Sequence, residues 1–151
     1  MTADRDLIIE TTTRVAWYAD RRLWDEIPNL FAEEVLLDYT SLTGGDPTLV
    51  APAEIAASWQ ANLGGLDATQ HLISNHLIEI SEGGRATATA QFLATHVLAN
   101  PHGTPIWVLG GHYHWTLIRA GGEWKIDSMT MTAAWATGNQ QIMTLATASG
   151  S

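Results

Sequence analysis

The sequence predicts an α+β fold, and three observations carry that prediction. Helical apolar spacing is concentrated before Leu63, four long segments rich in Thr, Val, Ile and aromatic residues fill most of the chain beyond it, and Gly-containing turns separate those segments. The spacing predicts a first helix from Asp6 to Arg22, with Leu7, Thr11, Val15 and Tyr18 on one stripe, Ile8 and Ala19 beside it, and Asp4 and Asp6 supplying N-terminal charge. Trp24, Ile27, Leu30 and Phe31 continue in helical spacing to about Ala32, with Pro28 in the first turns, where a missing amide donor costs least. Val35 to Thr40 reads as a strand, Thr43 to Pro47 as a loop, and Pro52 opens a third helix that Gly64-Gly65 stops after Leu63. The strands expected next are His71 to Ser81, Ala86 to Ala99, Ile106 to Ala120 and Trp124 to Trp135, a sequential meander. Asn139 to Ala148 is weakly helical, ahead of a frayed Ser149-Gly150-Ser151 end.

With 151 residues the chain fits one domain spanning 1–151, long enough to bury most of its apolar surface. Seven Lys and Arg against sixteen Asp and Glu give a formal charge of −9, a field that repels phosphate backbones, so nucleic acid is not an expected partner. Charged residues are only 15% of the chain, below the usual quarter, which points to a surface partly used as an interface. The absence of cysteine excludes disulfides, thiolate nucleophiles and Cys-based zinc sites. The acidic N-terminus lacks a long apolar run, so neither a signal peptide nor a membrane span is expected, and the cytoplasm is the default location.

Strand alternation places His96 with Ala90, Phe92, Ala94 and Leu98, and places His71 at a strand mouth with Ile73, Asn75 and Leu77. A pocket imidazole accepts a proton near neutral pH without further tuning, and a carboxylate beside it fixes the tautomer and stabilises the imidazolium. Asp20 is the candidate carboxylate, because it follows Ala19 at the end of the first helix's apolar stripe. Each residue also has a plainer reading: a hydrogen-bonded structural histidine, a solvated helix-end aspartate, a core tyrosine at Tyr39. His76, His102 and His114 take that plainer reading. His112 and His114 share one strand face, so with His71 or His96 they form an alternative three-histidine metal set; neither a metal nor a cofactor is part of the leading reading.

Four segments in order, Tyr18-Ala19-Asp20 with Trp24-Asp25, Leu37-Asp38-Tyr39, Thr69-Gln70-His71, and Gly111 to Trp115 leading to Glu123-Trp124-Lys125-Ile126, make the chain resemble the nuclear transport factor 2-like superfamily. Within it the likeness is to the group of scytalone dehydratase and the SnoaL-like polyketide cyclases. The resemblance implies a cone-shaped α+β barrel, three N-terminal helices packed on a curved mixed or antiparallel sheet, and usually a homodimer. It implies Asp20, His71 and His96 as catalytic residues and Tyr39 as the strand tyrosine. Ala19 stands where the family has a second tyrosine, and Gly110 and His112 stand where it has Ser and Asn. Tyr18, Trp59 and His112 join Tyr39 as substrate-contact candidates. The expected activity is cofactor-independent lyase or isomerase chemistry on a small apolar carbonyl or polyketide-like compound, with a non-catalytic small-molecule-binding or assembly module as the alternative. The apolar face of Trp107, Tyr113 and Trp115 is the expected homodimer surface.

Overall fold

Helix α1 (Thr2–Asp20) opens the chain in the computed structural model, which describes residues 2–149. Its buried stripe is Ile8, Thr12, Val15 and Ala19, one position round from the expected one, and Leu7 is left 45% exposed. Thr12 takes the inward place because its hydroxyl is satisfied there. It donates to the Ile8 and Ile9 carbonyls at 3.0 Å, and its oxygen accepts from His76 Nε2 at 3.0 Å. The helix stops in a Schellman arrangement, with the Leu23 amide on the Tyr18 carbonyl, the Arg22 amide on that of Ala19, and Arg22 in the left-handed region at φ 59°. Any L-residue other than Gly sits there at a cost of about 1–2 kcal/mol. The Arg22 Nη2 bond to the Leu66 carbonyl, 2.8 Å, offsets it and ties the helix end to the turn ahead of the strand that opens at Ala68.

The expected second helix contracts to a 3-10 turn, Ile27–Leu30, with Pro28 in its first positions. Phe31 is already extended, and strand β1 (Phe31–Asp38) therefore begins four residues before the expected start at Val35. The stretch read as a loop contains the short helix α2 (Thr40–Thr43) and strand β2 (Thr48–Val50), which pairs antiparallel with β1. Helix α3 (Pro52–Leu63) has the expected bounds. Strands β3 (Ala68–Ser81), β4 (Arg85–Val97), β5 (Ile106–Ala120) and β6 (Glu123–Gly138) form the antiparallel meander, and helix α4 (Gln141–Ser149) comes after them. Of the expected frayed end, Gly150 and Ser151 lie outside the described residues. The sheet has six strands in the order β2-β1-β6-β5-β4-β3, mixed because β1 runs parallel to β6.

Two irregularities in the sheet lie close to the cavity. In β3 the register shifts between Ser74 and Leu77, with Asn75 at φ 62°, so a bulge turns the strand over. His71 and Ile73 face the core before it and His76 and Ile78 after it; Asn75 and Leu77 do not share the His71 face as expected, and Leu77 is 73% exposed. Where β5 pairs with β6 the register shifts between Gly110 and Gly111, with Ala134 of β6 as the extra residue, so β5 itself alternates unbroken; a Cβ on Gly111 would lie 2.0 Å from the Thr132 carbonyl, so only glycine fits.

Trp107, Tyr113 and Trp115 are buried at 3%, 5% and 0% exposure, on the inner face of β5 with Leu109 and Leu117. The expected dimer surface is therefore the core itself, and the face carrying Val108, His112 and His114 is the outer one. Among the described residues no helix is long and apolar enough to cross a membrane.

Candidate active site

The end of α1 delivers Asp20 against the first residues of β3. Its carboxylate accepts three hydrogen bonds: from Thr69 Oγ1 at 2.9 Å, from the His71 backbone amide at 2.7 Å, and from His71 Nδ1 at 2.7 Å. A carboxylate this close to Nδ1 fixes the proton there and leaves Nε2 as the ring nitrogen open for chemistry. The expectation that joined Asp20 to a histidine matches this geometry, and the plainer reading of Asp20 as a solvated helix end does not.

Register brings in the second histidine. Thr69 lies opposite His96 across β3 and β4, so His71, two residues along on the same face, is the diagonal neighbour of His96. The two rings meet edge to face with centroids 5.8 Å apart. His96 is 4% exposed, and its Nδ1 lies 3.1 Å from the Trp107 carbonyl, which can only accept. Nδ1 therefore carries the proton and Nε2 is an acceptor. Burial, and then the neighbouring His71 charge, hold the His96 pKa down at about 4, against smaller upward pulls from the Trp107 carbonyl and Asp20. At neutral pH His96 is an uncharged imidazole.

Both histidines line a mainly apolar cavity of about 310 Å³, walled by Ala19, Trp59, Phe92, Tyr113 and Met129 and roofed by α4 through Met143. Tyr39 and Trp59, expected as substrate contacts, line it as well. Burial pushes the Tyr39 phenol up; it pushes Tyr113 up too, helped by Tyr39 and then Asp20, so both are O–H donors at neutral pH.

Two other expected contacts lie elsewhere. His112 is exposed on the outer face of β5, in a shallow groove with Gln91 and Trp135, because even-numbered positions of that strand point away from the core. Tyr18 packs against the core outside the cavity lining, one position off the inward stripe that ends at Ala19. The alternative three-histidine set does not form, since His112 and His114 project from the opposite face to His71 and His96, and no such cluster occurs among the described residues. His76 is structural, bonded to Thr12 and stacked on Trp115 at 6.2 Å.

Sequence reasoning missed Tyr113, placing it on an outer face, and gave no role to Thr69. No local pattern gave the first: the pairing of His96 with Trp107, seen only in the fold, turns Trp107 inward and with it Tyr113.

The SnoaL-like domain family matches over residues 1–130. This chain is a SnoaL-like domain. Its six-stranded mixed sheet and helices give it the nuclear transport factor 2-like cone fold. The SnoaL-like domain is similar to the Kfla4162 protein of Kribbella flavida, at 29% identity over 96% of this chain and 97% of that one, with a TM-score of 0.86. Two further structures show likeness of fold alone. A protein of Novosphingobium aromaticivorans DSM 12444 named for scytalone dehydratase has 18% identity over 92% and 89% of the two chains, TM-score 0.78. The hexachlorocyclohexane dehydrochlorinase LinA-type3 of Novosphingobium barchaimii LL02 has 13% identity over 92% of each, TM-score 0.75. No curated protein matches the chain.

Proposed function

We propose that this SnoaL-like domain is a cofactor-independent lyase or isomerase acting on a small, neutral, largely apolar carbonyl compound, with His71 as general base. The observation that carries the reading is the 2.7 Å contact of His71 Nδ1 with Asp20 at the wall of an apolar cavity. His71 Nε2 takes a proton from the carbon α to the carbonyl, and the electron pair moves onto the carbonyl oxygen, where Tyr39 donates a hydrogen bond. Asp20 stabilises the imidazolium, and neutral His96 orients the substrate as an acceptor. Return of the proton to another carbon of the enolate moves a double bond; transfer to a β-hydroxyl releases water. The names of the two distant neighbours, a dehydratase and a dehydrochlorinase, both denote eliminations and favour the second outcome.

The test needs no native substrate. Exchange of the α-hydrogens of 2-tetralone with deuterium from heavy water, followed by proton NMR, is accelerated by the wild type and lost in His71→Ala. Acceleration retained in that variant rejects His71 as the base, and binding without any acceleration by the wild type makes the cavity a binding module instead.

We also propose that two copies pair through the outer face of the sheet. Leu72 and Trp135 stand exposed there, and the outward positions of β4 from Thr87 to Val97 and of β5 from Ile106 to Thr116 carry no formal charge, so chains of net −9 can approach each other. Light scattering at micromolar concentration gives twice the monomer mass on this reading, and the monomer mass would reject it.

A further inference from the structure

Asp20 meets β3 through a single three-residue segment. Thr69 and His71 are two apart on the strand and share its inner face, and the carboxylate lies across both. Its Oδ1 accepts from the Thr69 hydroxyl at 2.9 Å and from His71 Nδ1 at 2.7 Å, while Oδ2 accepts from the His71 amide at 2.7 Å. The hydroxyl and the imidazole therefore meet at one oxygen. The torsion that turns an aspartate carboxylate is soft and roughly two-fold, so the donors around it, and not the torsion, fix its plane. Two of those donors belong to His71 itself; the Thr69 hydroxyl is the fixed point outside that residue. It is a stiff donor, because Thr69 is β-branched, 8% exposed, and set opposite His96 in the strand register. Thr69 is not among the residues that line the cavity, so it reaches a bound ligand only through Asp20. A separate tie, Arg22 Nη2 on the Leu66 carbonyl at 2.8 Å, holds the end of α1 to the turn ahead of β3, so loss of the hydroxyl does not release the helix.

We propose that Thr69 is a positioning residue for the base: its hydroxyl locks the Asp20 carboxylate with Oδ1 on His71 Nδ1 and so keeps Nε2 aimed into the cavity. This rests on the reading of His71 as the base and deepens it, since the alignment of the pair then depends on a third side chain that takes no part in the proton transfer. A threonine that merely satisfied its own buried hydroxyl would affect stability and leave the rate alone.

The experiment is a double-mutant cycle on the full chain, read by α-hydrogen exchange of 2-tetralone in heavy water, with ketone affinity from quenching of the cavity tryptophans Trp59 and Trp107. Thr69→Val keeps the shape and removes the hydroxyl. Its rate at saturating ketone falls about tenfold, as loss of one hydrogen bond to a charged group requires, with affinity within about twofold of wild type. Thr69→Ser restores the donor and returns the rate to within about threefold of wild type. In the Asp20→Asn background the same Thr69→Val change costs less than about twofold, because the two residues act as a unit. Nitrogen-15 NMR of labelled histidine gives a reading independent of turnover: the Nδ1 proton of His71 exchanges with water about tenfold faster in Thr69→Val and not in Thr69→Ser. An unchanged rate in Thr69→Val with only a lower melting temperature, a Thr69→Ser variant as slow as Thr69→Val, or equal fold-losses in the two backgrounds overturns the proposal. If the wild type accelerates no exchange of the ketone, His71 fails as the base, and the Nδ1 proton alone decides Thr69: unchanged protection in Thr69→Val overturns its role, and lost protection upholds it.

Discussion

Asp20 holds His71 twice, accepting from its ring Nδ1 and from its backbone amide at 2.7 Å each. One carboxylate therefore sets both the orientation of the imidazole and the position of the strand that carries it. Thr69, a third donor at 2.9 Å, keeps the carboxylate from rotating away.

Asp20→Asn preserves shape and removes the charge that stabilises an imidazolium. Exchange of 2-tetralone α-hydrogens is expected to slow by about a hundredfold or more, with ketone affinity within about threefold of wild type. Rates measured by NMR at saturating ketone check this, and an unchanged rate would leave Asp20 with a purely structural role.

Stability falls with acid. His96 has a folded-state pKa of about 4, below its ordinary 6.5, and His76 is also lowered, by burial first and then by Arg5. A depressed histidine gives the unfolded chain more protons below pH 6.5. The contribution is complete above about pH 6.5 and is lost as pH falls toward about 4, on the order of 3 kcal/mol for His96. Urea unfolding at a series of pH values should show this decline, and His96→Asn should flatten it between those limits.

The bulge in β3 depends on Asn75 at φ 62°, a conformation that Asn tolerates and β-branched residues do not. Asn75→Val should destabilise by about 1–3 kcal/mol, while Asn75→Gly, which loses the side-chain bond to Gln91 but relieves the backbone, should stay within about 1 kcal/mol of wild type. Thermal unfolding of the two variants distinguishes a backbone requirement from a side-chain one.

Gly65 sets the position of the cavity roof. A Cβ there would lie 2.2 Å from the Ala146 carbonyl of α4, a backbone contact that has nowhere to yield except by moving the helix. Gly65→Ala should cost about 1–3 kcal/mol and lower the melting temperature by roughly 2–10 °C. Because α4 carries Met143 into the cavity, ketone affinity should fall as well.

How far the sequence reached is seen in particular residues. Helix α3 and the meander follow from local pattern, since Pro52, Gly64 and the Gly-containing turns mark their ends. His96 was legible because its strand alternates cleanly between small or apolar and polar residues. Asp20 and His71 were legible as site candidates, from the end of a helix stripe, a strand mouth and the family resemblance, but their direct contact was not, since it depends on how α1 meets β3. The β5 face was not, since apolar residues occupy both sides of that strand and only cross-strand register decides which is inside. The bulge at Asn75 was hidden too, because one inserted residue inverts every later position without changing composition. β2 is three residues long and owes its form to pairing with β1, which no local pattern reveals.

The central claim is that His71, oriented by Asp20, removes a proton from carbon. The most direct measurement is the initial rate of deuterium uptake at the α-carbons of 2-tetralone, wild type against His71→Ala, at equal ligand occupancy fixed by tryptophan quenching. The account predicts a loss of about a hundredfold or more in the variant with its fold intact by circular dichroism. Equal rates in the two proteins would contradict it.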